Sequence, residues 1–216
     1  MSLKGAIFDL DGVIVNTVPL HFKAWARMFA QYGHNFSFED YKSKVDGIPR
    51  IDGARAILKD LSDEKLNKAA AKKQGYFLEY LESEKIDVYQ TTLNLIKELR
   101  NQGVKIAVIS SSKNCPRILK TAGLYEFIDV EINGSDITKG KPDPQIFLMA
   151  QEKLGLEVGE CVVFEDAVLG VEAAKSGGFK TVGIDRHQDP QRLNKADLVV
   201  KDLGEVDFNK LKALIE

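Results

Sequence analysis

Apolar residues recur along this chain in two rhythms, and the switch between them separates two kinds of structure. An unbroken apolar run opens it: Ala6-Ile7-Phe8 leads into Asp9-Leu10-Asp11-Gly12-Val13. A run of that type predicts a buried strand over Lys4 to Phe8. The rhythm then becomes helical, with Leu20, Ala24, Trp25, Met28, Phe29 and Tyr32 on one face of a helix over Thr17 to Tyr32, stopped by Gly33. Glu39 to Val45 predicts a second helix, interrupted by Gly47-Ile48-Pro49, and Gly53 to Leu61 a third. Ser62-Asp63-Glu64-Lys65 reads as the cap and first turn of a long charged helix running to Lys85. No strand is expected between residues 16 and 87.

From there helix and strand alternate. Helices are predicted over Thr92 to Gln102, from after Asn114 to Thr121, from Pro142 to Leu154, over Leu169 to Ser176 and over Asp207 to Ile215. Strands are predicted over Val104 to Ile109, Phe127 to Ile132, Cys161 to Phe164, Lys180 to Ile184 and Asp197 to Val200. Alternation of this kind specifies an α/β fold, a doubly wound parallel sheet with a Rossmann-like core. The expected core domain is residues 1–15 and 88–216, and residues 16–87 form an inserted all-helical cap domain.

In a parallel sheet, ligands bind beyond the carboxyl ends of the strands. Polar residues stand at that rim in four places. Asp9 and Asp11 follow the first strand, and Ser110-Ser111-Ser112 follow the next strand of the alternating region. Lys141 lies in the loop before a helix, and Glu165-Asp166 follow a later strand. Taken singly, each has an ordinary explanation: an Asp-Gly turn, a solvated serine turn, a surface lysine, acids favoured at a helix start. All four at one rim form an inventory for phosphoryl transfer, where catalysis is mostly positioning and neutralisation of charge. One carboxylate attacks phosphorus and another handles the proton. Carboxylate oxygens suit Mg²⁺, and a hydroxyl, backbone N–H groups and an ammonium hold the phosphoryl oxygens.

Charge and composition remove other classes. The 216 residues carry a net charge of −2, with no broad basic field for nucleic acid or an anionic membrane. No apolar run approaches a transmembrane length, and no basic segment followed by an apolar signal core begins the chain. Cys115 and Cys161 lack metal-like spacing and read as free thiols in a reducing compartment. A cytoplasmic monomer acting on a small molecule is expected.

The order and spacing of Asp9-Leu10-Asp11-Gly12, Ser110, Lys141-Pro142 and Glu165-Asp166 leading to Gly170 resemble the haloacid dehalogenase superfamily of phosphotransferases over nearly the whole chain. The resemblance implies Asp9 as the nucleophile forming an aspartyl-phosphate and Asp11 as general acid/base. It assigns Mg²⁺ to Asp9, the Asp11 carbonyl, Glu165 and Asp166, and the transferring phosphoryl group to Ser110, Ser111 and Lys141. His21-Phe22-Lys23-Ala24-Trp25, with Thr17 at the hinge, resembles the β-phosphoglucomutase family. That likeness implies a substrate site including His21, Gly47, Arg50, Ser112 and Asn114, with Arg50 gripping the phosphate that is not transferred. Trp25 is expected to pack within the cap, and His34 and His187 to lie at the surface.

One position departs from the pattern: Asp46 precedes Gly47 where the family usually has lysine. A carboxylate there would repel a sugar phosphate unless paired, with Arg50 or Lys44 as the expected partners. The stretch Val45 to Arg50 also resembles β-phosphoglucomutase-like hydrolases. The resemblance thus implies a hexose-phosphate mutase, with a sugar-phosphate phosphatase as the alternative. A non-enzymatic phospho-acceptor signalling domain joins similar groups on a similar sheet, but such domains are about half this length and lack the helical insertion.

Overall fold

Strand β1 (Gly5–Asp9) is buried along its whole length and lies at the centre of the sheet, in a computed structural model that describes residues 2–46 and 48–216. It pairs in parallel with β4 (Lys105–Ile109) on one side and with β6 (Cys161–Glu165) on the other. Continuous apolar sequence is what a strand covered on both faces requires. The outer strands are β5 (Val130–Ile132), β7 (Lys180–Ile184) and β8 (Leu198–Val200), giving six parallel strands in the order β5-β4-β1-β6-β7-β8.

Successive strand residues point to opposite faces. Ile7, Ala107, Ile109 and Val163 form one core with Ile146, Phe147 and Ala150 of a helix over Gln145–Leu154 and Ala173 and Ala174 of one over Val168–Ser176. The alternate residues Phe8 and Phe164 stack with ring centroids 4.2 Å apart. Helices Gln90–Asn101 and Phe208–Ile215 pack against β4, β6 and each other. Burying each such Phe or Ile side chain contributes about 1.5–3 kcal/mol to holding the sheet together.

The chain divides into two compact units, Met1–Asn16 with Ile86–Glu216, and Thr17–Lys85. The second unit is all-helical: α1 (Val18–Ala30), α2 (Phe38–Lys44), α3 (Arg50–Ile57) and α4 (Asp63–Ser83). Its core gathers Trp25, Met28, Phe29, Tyr41, Ala54 and Leu66, with Trp25 stacked on Phe29 at 5.2 Å. Gly53 faces the Trp25 ring, which a Cβ would approach to 3.0 Å. Ser37 and Asp40 close a reciprocal capping box at the start of α2. Together these units are the Rossmann-like sheet and inserted helical cap expected from the pattern.

Several boundaries differ from the sequence reading. The third cap helix begins at Arg50, because Pro49 opens it and Gly53 is tolerated inside by packing on Trp25. The helix expected at Pro142 begins at Gln145, with Pro144 as its cap, and Pro142 follows a cis peptide bond in the loop. Tyr125–Phe127 turn as a 3-10 helix, so β5 starts at Val130. A two-residue ribbon pairs β2 (Val15–Asn16) with β3 (Asp87–Val88), elements too short to show a period. Cys115 and Cys161 are buried free thiols, as expected. Among the described residues no helix is long and apolar enough to cross a membrane.

Candidate active site

The sheet register assembles the site. Asp9 is the last residue of β1 and sits opposite Ile109, so the chain leaving β4 brings Ser110 beside it. On the other side Phe8 pairs with Phe164, which brings Glu165 alongside Asp9. Lys141 enters from the loop ahead of the Gln145–Leu154 helix and joins the two acids. Its Nζ donates to Asp9 Oδ1 at 2.6 Å and also to Glu165 Oε1. The side chains are nearly or wholly out of solvent: Lys141 is 13% exposed, Asp9 10% and Glu165 0%.

Burial pushes the Asp9 carboxyl well above the usual carboxylate range. The Lys141 ammonium opposes that rise, and Glu165, Asp166 and Asp11 add to it. Burial works against the charge on Lys141, but Asp9 and Glu165 outweigh it and keep the amine protonated. Asp166 is pushed up to about 7, first by burial and then by Glu165, with Lys141 pulling the other way.

The turn after β1 carries the second aspartate. Ser110 Oγ lies 3.3 Å from Asp11 Oδ2, and the same oxygen accepts the Ser112 N–H at 3.1 Å. Ser112 Oγ in turn accepts the Asn114 N–H at 3.1 Å, so one serine loop orders the next. Gly12 has φ +83°, and a Cβ there would overlap the Asp166 carboxylate. Gly170 allows an equally close approach: a Cβ would fall inside the Glu165 carboxylate, whose Oε2 accepts the Ala167 N–H at 2.8 Å. Gly170→Ala is therefore expected to cost about 1–3 kcal/mol of stability and to displace Glu165. Thermal unfolding and turnover should fall together; a variant as stable and active as the parent would contradict this packing.

Among the described residues, no three His, Cys, Asp or Glu side chains are gathered around a common metal position. The Lys141 ammonium stands between Asp9 and Glu165 instead. The donor chemistry nevertheless fits a hard cation. Asp9, Asp11, Glu165 and Asp166 offer only oxygen, and after burial the neighbouring acids add to the rise of Asp9 and Asp166 against the pull of Lys141.

The remaining predicted residues belong to the helical unit. His21 stacks on Phe77 with centroids 4.2 Å apart, and its Nδ1 lies 2.7 Å from Lys73 Nζ. Burial, then Lys73 and Arg50, hold its imidazole well below the usual range, so it is neutral at pH 7. A lysine ammonium only donates, which makes Nδ1 the acceptor and leaves the proton on Nε2. Arg50 is exposed at the start of α3, Thr17 is buried immediately before α1, and Gly47 lies outside the described residues. Asp46 is paired, but not as expected: Tyr41 donates to it at 3.0 Å and Lys42 at 2.5 Å, while Lys44 binds Asp40. The chain turning back past the end of α2, with the Asp46 N–H on the Tyr41 carbonyl at 2.9 Å, puts the carboxylate beside Lys42 of the last turn. His34 and His187 are exposed.

Two residues escaped the sequence reading. Lys73 is 2% exposed, within the row Ala69, Lys73, Phe77, Leu81 spaced by four; a lysine on an apolar helical row was the available signal. Arg186 lies just beyond β7, and its Nε donates to the Gly12 carbonyl at 2.8 Å. The strand-end rule that singled out the acids applies to it equally.

A buried carboxylate held by lysine, beside further carboxylates and a serine loop at the carboxyl edge of a parallel sheet, defines a phosphoryl-transfer enzyme, a phosphotransferase or phosphatase. Residues 3–178 match the haloacid dehalogenase-like hydrolase family, and the chain belongs to it. It is 32% identical to the β-phosphoglucomutase of Bacillus subtilis, over 97% of this chain and 94% of that protein. It is 31% identical to the phosphorylated carbohydrates phosphatase of Thermotoga maritima, over 99% of this chain and 100% of the relative. The crystal structure of β-phosphoglucomutase from Clostridium difficile superimposes with a TM-score of 0.84 at 27% identity, covering 99% of this chain and 97% of that one.

Proposed function

We propose that the chain is a Mg²⁺-dependent β-phosphoglucomutase, converting β-glucose 1-phosphate to glucose 6-phosphate through an aspartyl-phosphate at Asp9. The observation that carries this reading is the buried Asp9–Lys141–Glu165 cluster at the end of the central strand. The mutase and the sugar-phosphate phosphatase among the relatives supply the substrate class.

In the proposed cycle the 6-hydroxyl of β-glucose 1-phosphate attacks phosphorus on Asp9, Asp11 takes the hydroxyl proton, and the bond from phosphorus to Asp9 breaks. The resulting bisphosphate turns over. An Asp9 carboxylate oxygen then attacks phosphorus at C1, the bond from phosphorus to the C1 oxygen breaks, and Asp11 returns the proton to that oxygen. Lys141, Ser110 and Ser111 hold the non-bridging phosphoryl oxygens. Asp9, the Asp11 carbonyl, Glu165 and Asp166 would hold Mg²⁺. The ion supplies positive charge that offsets repulsion between carboxylate and phosphate. Arg50, Ser112 and Asn114 are assigned to the phosphate that stays in place, Gly47 and neutral His21 to the sugar, and Thr17 to the hinge of the helical cap.

The second reading is a sugar-phosphate phosphatase, in which water attacks the aspartyl-phosphate. Asp46, where the mutase pattern has lysine, favours it, and its pairing with Lys42 tempers the repulsion. Turnover of β-glucose 1-phosphate with trace bisphosphate and Mg²⁺ separates the two. Glucose 6-phosphate is the expected product; free glucose with inorganic phosphate alone would assign the phosphatase. Arg50→Ala should lower mutase kcat/KM by about a hundredfold, the scale of a lost charged contact, and barely affect hydrolysis of a small phosphate ester. Equal losses on both substrates would remove Arg50 from the phosphate grip.

A further inference from the structure

Gly12 is the softest point of the turn that carries Asp11, and both of its peptide planes are tied down. The Gly12 N–H donates to the Val15 carbonyl at 2.8 Å, which fixes the plane shared with Asp11. The Gly12 carbonyl accepts from Arg186 Nε at 2.8 Å, which fixes the plane on the other side. A glycine at positive φ has wide freedom, and fastening both planes removes most of it.

Arg186 is itself held by two further groups, and each of those is fixed in turn. Its guanidinium lies over the Tyr89 ring, 3.8 Å from the centroid. Its Nη1 is 3.7 Å from Asp202 Oδ2, an oxygen that also accepts from Thr91 Oγ1 at 3.0 Å. Gly204 N–H binds the other Asp202 oxygen at 2.8 Å. Tyr89 is fixed through its own N–H, which donates to the Ile14 carbonyl at 2.9 Å. The guanidinium thus joins the loop after β7 to both the Gly12 turn and the chain segment that returns after β3.

An aliphatic side chain lying on Tyr89 could not hold the Gly12 carbonyl.

We infer that Arg186 is a positioning residue for phosphoryl transfer, fixing the Asp11–Gly12 turn so that the Asp11 carboxyl is held where the proton must be given and taken. This rests on the reading of Asp11 as general acid/base. Lysine cannot replace it, since a point charge on a flexible stem neither stacks on Tyr89 as a plane nor donates at a fixed angle.

The test measures kcat and KM of Arg186→Ala and Arg186→Lys, with β-glucose 1-phosphate and with a small aryl phosphate, alongside thermal unfolding. Misplacing a reacting group by about 1 Å costs about a hundredfold in rate, so Arg186→Ala should lose about ten- to a hundredfold in kcat. At saturating Mg²⁺, KM should stay within about threefold, because Arg186 is none of the residues assigned to the sugar phosphate. Added guanidinium ion should restore part of the lost kcat, and Arg186→Lys should remain impaired while folded. A kcat within about twofold of the parent, a loss confined to KM, or a loss that tracks the unfolded fraction and resists guanidinium would overturn the inference. If Arg186→Ala does not fold, folded Arg186→Lys with parental kcat overturns it alone. An active parent inactivated by Asp9→Asn preserves the reading of the reaction even if Arg186 proves dispensable; an inactive parent rejects that reading instead.

Discussion

Asp9→Asn is expected to abolish turnover of every phosphate ester, by about four orders of magnitude or more, and to leave the protein folded. The amide cannot attack phosphorus, yet its carbonyl oxygen can still accept the Lys141 hydrogen bond now made to Asp9 Oδ1 at 2.6 Å. Lys141 also keeps Glu165. Burial and the neighbouring acids disfavour a charge at position 9, so a neutral side chain relieves repulsion with Glu165, Asp166 and Asp11. Thermal stability should hold or rise while kcat vanishes. Residual turnover above about one per cent, too much for a lost nucleophile, would remove Asp9 from that role.

Lys141→Met should give the largest loss of stability. It deletes the ammonium between two acids that are 10% and 0% exposed, and leaves them facing each other. Breaking a buried pair from one side costs about 3–5 kcal/mol, or roughly 6–20 °C in melting temperature for a chain of this size. Activity should fall with it, since the phosphoryl oxygens lose a cation. Adding Asp9→Asn to Lys141→Met should recover part of the stability, because one stranded charge is then gone. Strictly additive effects in that double-mutant cycle would contradict the direct coupling of Asp9 and Lys141.

What the sequence made legible follows from the physics of the sheet. β1, β4 and β6 are covered on both faces, so each appears as an apolar run, and the polar residue ending it announces the rim. Asp9, Ser110 and Glu165 were found that way, and the register brings them side by side. Elements without a period were misplaced or missed. Val15–Asn16 and Asp87–Val88 hold two residues each, and the helix expected at Pro142 starts instead after Pro144, which only the folded loop decides. Lys73 is one of many charged residues along α4, and its place in the buried row shows only once the helix is packed. The partner of Asp46 depended on where α2 ends: Asp46 folds back just past it, its N–H on the Tyr41 carbonyl, within reach of Lys42.

The claim at the centre of this account is a covalent phosphoryl group on Asp9, and it can be seen directly. Enzyme mixed with substrate and Mg²⁺ is quenched within a turnover, treated with borohydride to reduce any acyl-phosphate, and mapped peptide by peptide. Reduction confined to position 9, and absent when substrate is withheld, is the predicted result. Turnover in the same sample with position 9 unmodified, or with reduction at another carboxylate, would contradict it.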